Sequence, residues 1–124
     1  MAKKLLMIDD QAGITRIVGF VARELGIEFK AINSSLAATE VFLEYRPNIV
    51  IIDMIMPGKD GLDVLNEILT TGIPTQIVLT SDFGDGFLKL GTDLAEFHGT
   101  QVSTLEKPFR RTALSKLLKT IADS

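Results

Sequence analysis

The sequence predicts an α/β fold, a parallel sheet with helices on both of its faces. Two observations carry this. Short apolar runs alternate with helical patterns five times along the chain, with brief connections between them. One of those runs, Ile49 to Ile52, is apolar at every position, as a strand covered on both faces should be. Right-handed crossovers then restrict how such strands can be ordered.

Each element has its own signal. Leu5 to Ile8 is a short buried strand. Ile14, Ile17, Val18, Val21 and Leu25 recur at helical spacing and define one face of a first helix, ended by Gly26. Ile27 to Ile32 alternates weakly and reads as a second strand. Asn33 or Ser34 is placed to cap the second helix, whose inner face would carry Ala38, Val41, Phe42 and Tyr45 before Pro47 stops it. Ile49 to Ile52 is the third strand. Leu62, Leu65, Ile68 and Leu69 mark the third helix, broken at Gly72 and Pro74. Gln76 to Thr80 is the fourth strand. The fourth helix would turn Phe87, Leu90, Leu94 and Phe97 inward, with Gly86 and Gly91 weakening it. Gln101 to Leu105 forms a rather polar fifth strand, and Leu114, Leu117, Leu118 and Ile121 mark the last helix.

The bulk numbers narrow the function classes. A length of 124 residues suits one domain spanning residues 1–124, and 46% hydrophobic residues suffice for a core. There is no cysteine, hence no disulfide framework and no thiolate metal site. No apolar run approaches the roughly 20 residues that a membrane span needs, and Leu5 to Ile8 is too short for a signal-peptide core. A protein of a reducing, cytoplasmic compartment is expected, with no membrane partner. A net charge of −3 argues against direct nucleic-acid binding. The basic run Lys107, Arg110, Arg111, Lys116 and Lys119 reads as the solvated face of the last helix.

Open parallel sheets bind ligands beyond the carboxyl ends of their strands. The first strand ends in Asp9 and Asp10, the third in Asp53, the fourth in Thr80 and Ser81, and the fifth is followed by Lys107 and Pro108. Singly, each has a plainer role: a helix cap for Asp9, Asp10, Thr80 or Ser81, an Asx-turn for Asp53, a solvated loop for Lys107. Together they converge on one edge. Carboxylates about 4 Å apart repel by about 4 kcal/mol per pair at an effective dielectric of about 20. Such a cluster needs a cation or raised pKa values. Mg²⁺, which takes carboxylates, waters and phosphate oxygens, suits it. With Lys107 as a second positive charge and Thr80 as a hydroxyl, the edge is a receptor for a phosphoryl group, and one carboxylate is left as nucleophile.

With "IDD" at Ile8 to Asp10, "DMIMPGKDG" at Asp53 to Gly61, "LTS" at Leu79 to Ser81 and "KPF" at Lys107 to Phe109, the chain resembles, over essentially its whole length, the receiver domains of two-component response regulators, such as chemotaxis regulators. The resemblance implies a flavodoxin-like (βα)5 three-layer sandwich with a five-stranded parallel sheet in the order 2-1-3-4-5. It implies that Asp53 accepts a phosphoryl group from a sensor histidine kinase or a histidine phosphotransfer protein. Asp9, Asp10, Asp53 and the backbone carbonyl of Ile55 would hold Mg²⁺. Lys107 would contact the phosphoryl group, Pro108 would follow a cis peptide bond, and Thr80 would move toward the phosphoryl oxygens as the switch, with Ser81 beside it. Output would pass by protein contact, through the fourth helix, fifth strand and fifth helix, to a downstream protein or a fused output domain. The chain would not be an enzyme beyond its own phosphorylation and autodephosphorylation.

Three positions depart from the family pattern or stand outside it. Thr104 occupies the place of the aromatic residue that usually relays the threonine's movement, so output is expected to use another side chain, or mainly backbone shifts in the loop after the fourth strand and in the fourth helix. Ile55 replaces a commonly polar residue two places after the acceptor, where it is expected to slow loss of the phosphoryl group; Met54, Ile55 and Met56 otherwise read as loop packing. His98, the one histidine, reads as structural or solvated. Gly61 is expected to allow a tight backbone approach at the start of the third helix. A Mg²⁺-dependent phosphatase with an aspartate nucleophile would need similar groups. The haloacid-dehalogenase pattern, however, wants a second Asp two residues after the nucleophile, where this chain has Gln11 or Ile55. A pseudo-receiver that binds without being phosphorylated ranks below both, because all five chemical positions are filled. No G-x-G-x-x-G follows a strand, which leaves a dinucleotide fold weaker still.

Overall fold

The computed structural model describes residues 3–82 and 86–123. Its strands are β1 (Lys4–Ile8), β2 (Glu28–Ile32), β3 (Ile49–Asp53), β4 (Gln76–Asp82) and β5 (Ser103–Lys107). They alternate with α1 (Ala12–Glu24), α2 (Ala38–Tyr45), α3 (Gly61–Thr70), α4 (Phe87–Phe97) and α5 (Arg111–Ala122). All four strand pairings are parallel, and the order is β2-β1-β3-β4-β5. This is the flavodoxin-like three-layer arrangement.

Strand alternation splits the core in two. Leu6, Ile8, Val50, Ile52, Ile77 and Leu79 face α2, α3 and α4, while Leu5, Met7, Ile49, Ile51 and Val78 face α1 and α5. Each fully buried Leu, Ile or Phe contributes about 1.5–3 kcal/mol of transfer free energy, so these two layers supply most of what orders the sheet. β3 is buried along its whole length, from Ile49 to Asp53.

Several expectations need correction. In α1 the buried residues are Val18, Val21 and Ala22, while Ile17 is exposed. The second helix starts later than a cap at Asn33 or Ser34 would place it. Its N-cap is Ala37, without a side-chain hydrogen bond. β4 runs two residues past Thr80, and β5 pairs with that extension, Ser81 with Glu106 and Asp82 with Lys107. The fifth strand therefore starts two residues later than read, and Lys107 is its last residue rather than a loop lysine.

The largest correction is to α4. Its buried residues are Gly91 and Ala95, with Leu88 and Leu94 partly buried, whereas Leu90 and Phe97 are exposed. The small residues explain why. A Cβ on Gly91 would lie 2.5 Å from Leu79 Cδ1 and 3.1 Å from Met54 Cε. The helix lies so close to the sheet that any side chain there would have to push Leu79 aside. Gly61 is tighter: its Cβ would lie 2.3 Å from Met54 Cα, so the expected close approach at the start of α3 is present.

These contacts order the stabilities of three variants. Gly61→Ala meets backbone and is expected to cost more than Gly91→Ala, which meets the flexible end of Leu79; overpacking of this kind costs about 1–3 kcal/mol. Leu90→Ala, at an exposed position, should stay within about 0.5 kcal/mol of the parent. Urea unfolding of the three variants measures this ranking.

Candidate functional site

Four strands bring polar groups to the carboxyl edge of the sheet, and strand alternation decides which of them meet. Asp53 shares a face with Ile49 and Ile51, Thr80 with Val78, and Lys107 with Leu105, all on the α1 and α5 side. Asp9 follows β1 directly on the face of Leu5 and Met7. Asp9, Asp53, Thr80, Ser81 and Lys107 are all buried, which is unusual for charged groups unless they are paired.

Lys107 supplies the pairing. Its ammonium donates to Asp9 Oδ2 at 2.8 Å, Gln11 Oε1 at 2.7 Å and Asp53 Oδ2 at 3.2 Å. An ammonium has three donors, and all three are used. The second oxygens are also occupied: Asp9 Oδ1 accepts from Gln11 N at 2.8 Å, and Asp53 Oδ1 from Ile55 N at 3.1 Å. Carboxylate oxygens of Asp9, Asp10 and Asp53 lie within 4.8 Å of one another, with Asp10 exposed at the mouth. Three carboxylates against one ammonium leave two negative charges, and hard oxygen donors of that net charge fit a divalent cation such as Mg²⁺. Of the expected ligands, Asp9, Asp10 and Asp53 are therefore gathered, and Ile55 sits in the adjoining turn.

The pKa values follow from this geometry. Burial is the largest influence on Asp53 and raises it; the Ile55 N–H opposes, Asp9 adds, and Lys107 opposes, leaving the carboxyl pushed up to about 6. Burial acts to lower Lys107, but hydrogen bonds to and charges on Asp9 and Asp53 outweigh it and hold the ammonium above its ordinary value.

Thr80 pairs in register with Asp53, and its carbonyl accepts from Met54 N at 2.9 Å. Its hydroxyl lies 3.5 Å from the Ile52 carbonyl and, among the described residues, does not bond Asp53 or Lys107. Thr104 is exposed on β5, paired with Leu79 on the opposite face from Thr80, so the two threonines do not meet. The loop after β4, residues 83–85, to which backbone output was assigned, lies outside the described residues. The Lys107–Pro108 peptide bond is cis. Met54 and Met56 pack in the core, but Ile55 stands 47% exposed beside Asp53 rather than packing in the loop. His98 caps the C-terminus of α4, exposed, with Nε2 3.3 Å from Asn66 Oδ1. The basic run divides: Arg110, Arg111, Lys116 and Lys119 are exposed as expected, while Lys107 is buried in the site.

Two functional positions were not singled out from the sequence. Gln11 is the third acceptor of Lys107, and a glutamine one place after an Asp pair carries no spacing signal of its own. Asp60, in "KDG", is the N-cap of α3 and accepts from Asp63 N at 2.9 Å. Asp followed by Gly at the head of an apolar helical pattern is a readable cap signature.

A family model described as a response regulator receiver domain matches residues 5–119. Sporulation initiation phosphotransferase F of Bacillus subtilis is 30% identical over 86 residues, 68% of each chain. Among solved structures, the signal receiver domain of a putative Luxo repressor protein from Vibrio parahaemolyticus superposes with a TM-score of 0.84 at 19% identity, covering 99% of this chain and 92% of that one. Chemotaxis response regulator CheY4 of Vibrio cholerae gives 0.83 at 21% identity over 98% and 99% of the two chains. NtrX from Brucella abortus gives 0.82 at 24% identity, this chain matching 27% of its length.

The raised Asp53 pKa sets a pH dependence in metal-free protein. The folded state holds the Asp53 proton up to about pH 6, whereas the unfolded chain releases it near 4. Between those values the native state binds more protons, so the contribution of Asp53 to stability falls as pH rises through the window. Asp53→Asn is therefore expected to be more stable than the parent at pH 7.5, by on the order of 1–2 kcal/mol, with the gap closing below pH 4. Urea unfolding in a chelator at both pH values checks it.

Proposed function

The chain belongs to the response regulator receiver family, and from that membership we propose that it is a phosphorylation-controlled switch with Asp53 as the phosphoacceptor. The observation that carries this reading is the buried Asp53 carboxylate, held at the sheet edge by Lys107 and the Ile55 N–H and flanked by two further carboxylates.

The donor is a phosphohistidine of a sensor histidine kinase or a phosphotransfer protein. One Asp53 oxygen forms a bond to phosphorus as the phosphorus–nitrogen bond to imidazole breaks, and the imidazole leaves neutral, keeping the proton already carried on its other ring nitrogen. Asp9, Asp10, Asp53 and the Ile55 carbonyl would hold Mg²⁺, which when bound neutralises charge on the phosphoryl oxygens. Lys107 releases Asp53 Oδ2 and moves its hydrogen bond to a phosphoryl oxygen. Its two other acceptors, Asp9 and Gln11, keep the ammonium in place meanwhile. Thr80 turns its hydroxyl from the Ile52 carbonyl toward the new anion, and Ser81 moves with it. The Bacillus relative is named a phosphotransferase, which supports the phosphoryl chemistry.

Output goes by protein contact to a downstream protein or a fused output domain, in the cytoplasm, without direct nucleic-acid or membrane binding. No helix among the described residues is long and apolar enough to cross a membrane. The α4–β5–α5 side offers exposed Leu90, Thr104 and the basic residues of α5. Since Thr104 neither meets Thr80 nor carries a ring, the relay would use another side chain, or backbone shifts in the loop after β4 and in α4. The chain turns over nothing except its own phosphoryl group.

Incubation with Mg²⁺ and acetyl phosphate, read by intact mass, should add one phosphoryl group to the parent and none to Asp53→Asn. No addition to the parent would sink the switch reading and favour a binding module. Addition to Asp53→Asn would move the acceptor elsewhere, and steady turnover of phosphate monoesters would favour a phosphatase. Ile55, apolar and half out of the fold beside the acceptor, obstructs approach of the hydrolytic water. Ile55→Asn is expected to lose its phosphoryl group several-fold faster, on the scale of a lost steric or hydrogen-bonding contact of about 1 kcal/mol. A decay rate equal to or slower than the parent's counts against that role.

A further inference from the structure

One ligand in the proposed metal site is a backbone carbonyl, and a carbonyl is placed only by whatever holds its loop. The β3–α3 loop is fixed at both ends. Met54 N donates to Thr80 O and Gly61 N donates to Met54 O, each at 2.9 Å, and Ile55 N donates to Asp53. Its middle is held from another element altogether. Ser35, between β2 and α2, is 1% exposed; its hydroxyl donates to Pro57 O at 3.2 Å and accepts from Lys59 N at 3.1 Å. The Lys59 ammonium donates to Glu67 Oε2 of α3 at 2.6 Å, and the Thr39 hydroxyl of α2 donates to Oε1 of the same carboxylate. Those two hydrogen bonds keep Glu67 ionised below its ordinary range.

This chain of contacts touches neither Asp9, Asp10, Asp53 nor Lys107. Its hydroxyl spends both its donor and an acceptor on the loop backbone. Removing it would orphan the Lys59 N–H and the Pro57 carbonyl together, and the loop would shift toward water to satisfy them.

We propose that Ser35 is a positioning residue for the metal site: its two hydrogen bonds to the Pro57–Lys59 turn, backed by the Thr39–Glu67–Lys59 chain, hold the Ile55 carbonyl in place. Mg²⁺ affinity then depends on a hydroxyl that the metal never touches, as it does on the outer-shell partners of metal ligands generally. The inference rests on the receiver reading above.

Calorimetric titration with Mg²⁺ alone tests it. Ser35→Ala should bind about tenfold more weakly than the parent. Thr39→Val and Glu67→Gln should be weakened by a smaller factor, and Thr39→Ser should bind like the parent. Hydrogen exchange at the Lys59 amide should speed up in Ser35→Ala. Ile121→Val loosens the opposite core without touching the loop, so it should leave Mg²⁺ affinity unchanged; a loss there would make the effect one of general stability and overturn the proposal. Ser35→Ala binding within twofold of the parent would overturn it and leave the receiver reading intact. A parent that binds no Mg²⁺ removes both. If Ser35→Ala does not fold, Thr39→Val and Glu67→Gln, at partly exposed positions, decide: parental affinity in both overturns the proposal.

Discussion

A single buried ammonium organises this molecule. Lys107 has left water, and its three hydrogen bonds to Asp9, Gln11 and Asp53 replace what it lost. Removing the ammonium itself typically costs about 3–5 kcal/mol, because the carboxylates it serves would stay buried and unmatched. Its demands reach across the sheet. β5 and β3 are two strand spacings apart, roughly 9–10 Å, and the intervening strand β4 places Thr80 on the same face. A long flexible stem on the outer strand and a small residue on the middle one are what allow the charge to reach β3. The same requirement explains why a strand as apolar as Ile49–Ile52 ends on a carboxylate: the run anchors Asp53 rigidly, and Lys107 makes its burial tolerable.

Most of the fold was legible because the helical period of 3.6 is plain in α1 and α5 and the unbroken apolar run of β3 marks a strand covered on both faces. What failed has physical causes. On α4 the apolar residues Leu90 and Phe97 point outward and the small residues Gly91 and Ala95 point inward, because the helix lies close on the sheet and even a Cβ at Gly91 would crowd Leu79 and Met54. A reading that ranks residues by hydrophobicity inverts such a helix. The end of β5 was misplaced because a strand's extent is set by its neighbour, and β4 runs on to Asp82. At the site, the charged residues were readable since their types and strand-end positions are distinctive. Gln11 was not, because its role appears only once Lys107 folds over it. Neither was Ser35, whose partners lie 22 and 24 residues away; a serine in a polar stretch looks like a cap until the loop it holds is seen.

The two faces of the sheet also divide the work. The α1 and α5 face carries the charged groups at its upper edge, whereas the α2, α3 and α4 face carries the closest glycine packing and the loop clamp. On the first of these faces, α1 and α5 meet outside the core as well. Arg111 lies over the Phe20 ring at 4.3 Å and pairs with Glu24. The contact is exposed and adds little stability, but it fastens the helix after Lys107 to the helix after Asp9 and Asp10.

The strand alternation that gathers Asp9, Asp53 and Lys107 also polices how the sheet assembles. If β5 slipped by one residue against β4, the position now held by Lys107 would receive Glu106 or Pro108. The first would set another acidic group against Asp9 and Asp53, and the second would leave those carboxylates buried with no positive charge. The same slip would put Thr104 or Glu106 in the place of Leu105, which packs against the α1 and α5 core. The lost charge adds a larger penalty, because neither neighbour of Lys107 supplies a cation. The cluster that serves the chemistry therefore doubles as a proofreading device for strand pairing, which rejects misregistered sheets before any ligand arrives.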